Sequence, residues 1–99
     1  MTVQSGTAAA KLWARHAAIP LPGDLRDDDE LRQVNGQVGE VAGTLMSHGT
    51  LTPAEQDWLR SVRPDLHHKL ITMRAGAERG YVESLVIVID ALLASARLA

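Results

Sequence analysis

Twelve acids, four histidines and five serines are the side chains here that could hold a metal, move a proton or attack a carbonyl. His67 and His68 come first as possible ligands. Neighbours on a helix point about 100° apart, so these two cannot chelate one ion together. Asp65 and His68 stand at i,i+3, but two ligands do not make a site, and no His pair or Glu-x-x-His motif has helical spacing. No metal and no cofactor are expected, and the two histidines read as solvated or interface residues. Asp27, Asp28, Asp29 and Glu30 form an acidic run without the spacing of a calcium loop, and such a run suits the first turn of a helix. Ser5, Ser47, Ser61, Ser84 and Ser95 lie in no Gly-x-Ser-x-Gly elbow, and Gly36 and Gly39 are not followed by the Lys-Ser/Thr of a phosphate loop. Catalysis is not expected.

Composition narrows the classes further. One domain over residues 1–99 is expected, near the lower end of what a single core stabilises. There is no cysteine, which removes disulfides, thiolate metal sites and thiol nucleophiles. There is no Phe either, so the core must be thin aliphatic layers of Ala, Leu and Val around Trp13, Trp58 and Tyr81. Thin layers suit helix–helix packing. Met1 to Ala10 lack both the basic start and the apolar run of a signal peptide, and no stretch suits a membrane span. The expectation is a cytoplasmic protein with no membrane partner, and its Arg-over-Lys, Ala-rich usage points to a bacterial source.

The net charge of −2 is uneven, with two arginines against six acids in residues 21–50. A helix-turn-helix reading places Arg60, Arg63, Lys69, Arg74 and Arg79 on two helices joined at Pro64. Glu55, Asp57, Asp65 and Glu78 are interspersed and would oppose phosphate, so a solvated mixed-charge face is preferred and nucleic acid is not the expected partner.

The elements that must position these residues read as helices. Ser5 or Thr7 can cap a first helix running to about Ala18, with Ala9, Leu12, Trp13, His16 and Ala17 on one side and Pro20 and Pro22 beyond its end. Leu21-Pro22-Gly23 is a turn, with Asp24 as the expected cap of the next helix. Leu31, Val34, Val38, Val41 and Leu45 then follow a 3-4-3-4 step. Asn35-Gly36 is also a hairpin signal, but its flanks do not alternate and helix is preferred. Gly36, Gly39 and Gly43 form a second line on that helix. Each costs roughly 1 kcal/mol relative to Ala, so close approach of another backbone is expected there. Gly49 is the expected C-terminal residue in the left-handed region. Thr52-Pro53-Ala54-Glu55 is a capping box with proline at the first helical position. That helix is expected to end before Pro64, which opens another carrying Leu66, Leu70, Met73 and Ala77 with Asp65 and Lys69 paired at i,i+4. Gly80 separates or kinks the last helix.

From Tyr81 onward the chain is apolar on more than one side. Val82, Leu85, Val86, Ile89, Leu92, Leu93 and Ala96 form a broad face, and Ile87, Ala91, Ala94 and Leu98 a second stripe. Leu85 to Ile89 could be a buried strand, but no second run of like strength could pair with it. The fold class is therefore all-α, a compact bundle of four to five helices with the C-terminal helix central or at a dimer interface. Val82, Val86, Ile87, Ile89, Ala91, Leu93, Ala94 and Leu98 are the residues expected to self-associate, with Gly36, Gly39 and Gly43 as a close helix contact. The function this favours is a small non-catalytic interaction or regulatory protein that forms a homodimer, with room for another protein partner.

Gln37-Val38-Gly39-Glu40-Val41-Ala42 followed by Glu83-Ser84-Leu85-Val86-Ile87-Val88-Ile89-Asp90 resembles the all-α MazG-like nucleotide pyrophosphohydrolases. In that family a Glu-x-x-Glu pair and a later Glu-x-x-Asp pair cage magnesium for a nucleoside triphosphate. The matching positions are Gln37, Glu40, Glu83 and Val86, so two of four ligands are absent, and Asp90 lies two turns beyond Glu83. The resemblance implies a relative that has lost its chemistry, with a possible ligand pocket at Glu40, Glu83 and Asp90.

Overall fold

Four of the helix boundaries have a local chemical cause. The structure is a computed structural model describing residues 4–98, without the side chains of residues 4–7, 24, 97 and 98. Helix α1 spans Gln4–Ala18 and stops short of Pro20, which cannot donate to a continuing helix. Its backbone is helical from upstream of Ser5 and Thr7, whose side chains lie outside those described. A 3₁₀ turn at Gly23–Leu25 tucks Leu25 into the core.

Helix α2, Asp29–His48, is capped by Asp28 rather than by Asp24. The Asp28 carboxylate accepts from the Leu31 amide at 3.0 Å and from Lys69 Nζ at 2.6 Å. Both interactions hold its pKa below the ordinary carboxylate range, the lysine contact most. The helix continues unbroken through Asn35-Gly36. It ends where Gly49, at φ 76°, turns its amide back to the Leu45 carbonyl at 2.8 Å.

Helix α3 spans Pro53–Thr72 behind the expected capping box: the Glu55 amide donates to Thr52 Oγ1 at 3.1 Å, and the Thr52 amide to Glu55 Oε1 at 2.9 Å. The expected break at Pro64 does not occur. Leu59, Val62, Leu66 and Leu70 stay on one buried stripe across the proline, while the Pro64 ring is exposed. Burying four aliphatic side chains, each worth about 1.5–3 kcal/mol, outweighs the roughly 3 kcal/mol cost of the proline. The expected Asp65–Lys69 pair is likewise replaced, since Lys69 reaches across to Asp28 and ties α3 to the start of α2. The chain turns at residues 73–76, not at Gly80, and α4 runs over Ala77–Leu98.

These contacts fix the topology. Trp13 meets Gly39 and His16 meets Asn35, so residue numbers fall along α2 as they rise along α1. Short turns and the Asp28–Lys69 and Arg63–Asp90 bridges make the next two pairs antiparallel as well. The result is an all-α, up-down-up-down bundle of four helices, in which α4 packs most widely against α1 and then α3. Val82, Leu85, Val88, Ile89 and Leu92 of α4 are fully enclosed, with Val86 and Leu93 buried beside them. No helix among the described residues is long and apolar enough to cross a membrane.

The three α2 glycines have different surroundings. A Cβ on Gly39 would lie 2.7 Å from Trp13 Cζ2 and 3.1 Å from its Cη2. What approaches Gly39 is an indole rather than another helix's backbone. Nothing lies within 4 Å of the Cβ positions of Gly36 or Gly43. Gly39→Ala is therefore expected to destabilise the protein by about 1–3 kcal/mol through overpacking. Gly36→Ala and Gly43→Ala should stabilise it by about 0.5–1 kcal/mol through helix propensity. Urea denaturation of the three variants checks this, and equal effects at all three positions would contradict the indole contact.

Candidate functional site

His16 is the polar centre of the bundle. It lies on the apolar side of α1 with Ala9, Leu12 and Trp13, and its exposure is 0%. A buried imidazole needs a partner at each nitrogen. Nε2 is 2.6 Å from Asn35 Oδ1 on α2, and Nδ1 is 2.9 Å from Ser84 Oγ on α4. Asn35 Oδ1 can only accept, so Nε2 carries the proton; the neutral ring then leaves the Nδ1 lone pair to accept from the Ser84 hydroxyl. The ring also packs against Tyr81, with centroids 4.5 Å apart and planes at 46°, and more loosely against Trp13 at 5.7 Å. Burial lowers the His16 pKa below 6.5, partly offset by the Asn35 bond, and burial raises that of Tyr81.

Ser-His-Asn is a donor set that supports nucleophilic catalysis when the hydroxyl meets open space. Here the imidazole is enclosed, and the neighbouring cleft is walled by Asn35 and Tyr81 rather than by Ser84. The arrangement locks three helices together and is not set out for acyl transfer. The cleft holds about 370 Å³ and is lined by Ala17, Ile19, Leu21, Leu31, Arg32, Asn35, Gly36 and Tyr81. Sequence reasoning placed His16 on an apolar face but did not find this site. The available signal was a polar residue on an apolar stripe of each of three helices, His16, Asn35 and Ser84.

Most residues singled out from sequence lie elsewhere. Glu40 is exposed on α2, Glu83 pairs with Arg79 at 2.9 Å, and Asp90 pairs with Arg63 through Nε at 2.5 Å. None of these three acids lines the cleft, and no group of three or more His, Asp or Glu among the described residues is placed to hold a metal ion. Val82, Val86, Ile89 and Leu93 are covered by the chain's own helices. Ile87 and Ala94 face outward with Ala91 half-buried beside them, and the side chain of Leu98 lies outside those described. His67 and His68 are exposed. The basic residues of the helix-turn-helix reading sit on one continuous α3, in the turn after it (Arg74) and on α4, with no turn at Pro64. Four of them are engaged: Arg60 with Asp57, Arg63 with Asp90, Lys69 with Asp28 and Arg79 with Glu83. No family model, curated protein or solved structure matches the chain.

The neutral imidazole has a consequence for stability. The unfolded chain protonates His16 near pH 6.5, whereas the folded chain resists until lower pH. Between those two values the unfolded state binds more protons, so stability is full above pH 6.5 and declines as the pH falls below it. The slope from this one group cannot exceed about 1.4 kcal/mol per pH unit. Urea unfolding at pH 7.5 and 5.5 should show a larger loss in the wild type than in His16→Gln, which keeps a polar side chain but cannot titrate. Equal losses would contradict a buried neutral histidine.

Proposed function

We propose that the protein is a small non-catalytic helical module that pairs with a second copy of itself through the outward face of α4. The observation that supports this reading is Ile87, which is 53% exposed on the helix that forms the centre of the bundle. Most of the circumference of α4 is buried by the other helices, and the narrow open stripe presents Glu83, Ile87, Asp90 and Ala94 at successive turns. Two such faces complement each other about a two-fold axis. In an antiparallel crossing near Asp90, the bulky Ile87 of one chain falls against the small Ala94 of the second copy, and the reverse. Ala91 leaves room for the backbones to approach. The Arg63–Asp90 pair, already formed within each chain, supplies cation and anion together at the crossing, so two carboxylates do not face each other unscreened. A self-pairing module of this size suits a regulatory role in a bacterial cytoplasm, acting through its surface rather than through a reaction.

Light scattering after size exclusion tests the reading on wild type and Ile87→Glu. The wild type should run at twice its 10.7 kDa chain mass. Because Ile87 lies outside the core, the variant should be monomeric with unchanged helicity. A monomeric wild type, or a variant that remains dimeric, would overturn it.

A further inference from the structure

The cleft beside His16 has a second use that is independent of the α4 face. It is formed by the end of α1, the segment leading to the 3₁₀ turn, the first half of α2 and Tyr81. Its volume of about 370 Å³ falls at the small end of ordinary ligand sites. Ala17, Ile19, Leu21 and Leu31 supply apolar wall.

Each polar side chain in that wall can donate a hydrogen bond. Asn35 Oδ1 is held by His16 Nε2, which fixes the amide and leaves its Nδ2 hydrogens without a protein acceptor. The Tyr81 hydroxyl likewise takes no partner among the described residues, although its ring is buried. No described side-chain nitrogen or oxygen is both buried and unpaired, so these two groups meet solvent, and the cleft is the space they border. The third donor is Arg32, whose guanidinium contacts the exposed Asp29 carboxylate and the Arg26 carbonyl, each at 3.3 Å. A long, exposed ion pair of this kind exchanges readily for a better-placed anion. Gly36 also lines the cleft, and no neighbour within the chain requires a glycine there. A side chain at that position would occupy the open space.

We infer that this cleft binds a small organic monocarboxylate with a short aliphatic body. Arg32, the Asn35 amide and the Tyr81 hydroxyl take the carboxylate oxygens, and Ile19, Leu21 and Leu31 take the chain. A single guanidinium matches one negative charge and repels an ammonium group.

The test is a ¹H–¹⁵N correlation titration of the whole chain with sodium hexanoate and, separately, hexylammonium chloride. Hexanoate should give saturable shifts at the Asn35 side-chain amide and the Gly36 backbone amide, and hexylammonium should not. Arg32→Glu, at an exposed position, should weaken hexanoate by about tenfold or more, the loss of one charge-assisted contact. Gly36→Leu should abolish the saturable shifts while retaining helicity. Tyr81→Phe should weaken binding by roughly fivefold, the worth of one neutral hydrogen bond. No saturable shift with hexanoate, or equal saturation by hexylammonium, would overturn the assignment on the wild type alone, whatever the variants do.

Discussion

A fully enclosed imidazole must be satisfied at both ring nitrogens, and in this bundle that demand is met from two different helices at once. His16 belongs to α1, Asn35 to α2 and Ser84 to α4. Aliphatic layers of Ala, Leu and Val can slide by a turn with little penalty, because one small apolar side chain resembles the next. Two hydrogen bonds from one ring cannot slide. A shift of α2 or α4 by one turn would leave a buried N–H or lone pair unpaired, at a cost of about 1–3 kcal/mol each. The network therefore selects one register among several that the apolar pattern alone would tolerate. Trp13 and Gly39 reinforce that register three residues earlier on α1, since only an absent Cβ lets the indole lie where it does.

The rest of the bundle is arranged around α4. Its buried side is shared chiefly between α1 and α3, and ion pairs that differ in exposure join α2 to α3 and α3 to α4. Lys69–Asp28 is the more sheltered, with side-chain exposures of 34% and 22%, and its carboxylate also caps α2. One acid thus serves helix termination and the joining of α2 to α3. Arg63–Asp90 and Arg79–Glu83 lie nearer the surface and contribute less to stability, but with Arg60–Asp57 and Lys69–Asp28 they pair four of the cations on α3 and α4. On the outside, Ile87 with its small neighbours joins Ile71 and Met46 as exposed apolar side chains, and the cleft beside His16 lies on another side.

Features encoded within one turn of chain were legible from sequence. The Thr52–Glu55 capping box and the Gly49 stop depend on residues no more than four apart, and both form as their spacing implies. The all-α class followed from periodicity over long stretches. Pro64 misled because its local cost is real, while the burial that overrides it depends on which partner helix covers Leu59 to Leu70. Lys69 had an acid at the right local spacing in Asp65, yet a closer match in Asp28 lay forty-one residues away. The His16 site was the least legible part. Its partners are 19 and 68 residues distant, and no spacing rule connects a histidine on one helix with an asparagine and a serine on two others. The second apolar stripe of α4 was visible as residues, but which half of the helix the chain would cover for itself was not.

The most direct measurement is the ring nitrogen spectrum of His16, by long-range ¹H–¹⁵N correlation on the folded protein between pH 7.5 and 5.5. A neutral ring donating to Asn35 gives a protonated Nε2 and an unprotonated Nδ1 at pH 7.5, with any change in the two signals displaced below pH 6.5. An Nδ1–H tautomer, or two averaged signals that titrate at pH 6.5 like a solvated histidine, would contradict the bridge that sets the packing of α1, α2 and α4.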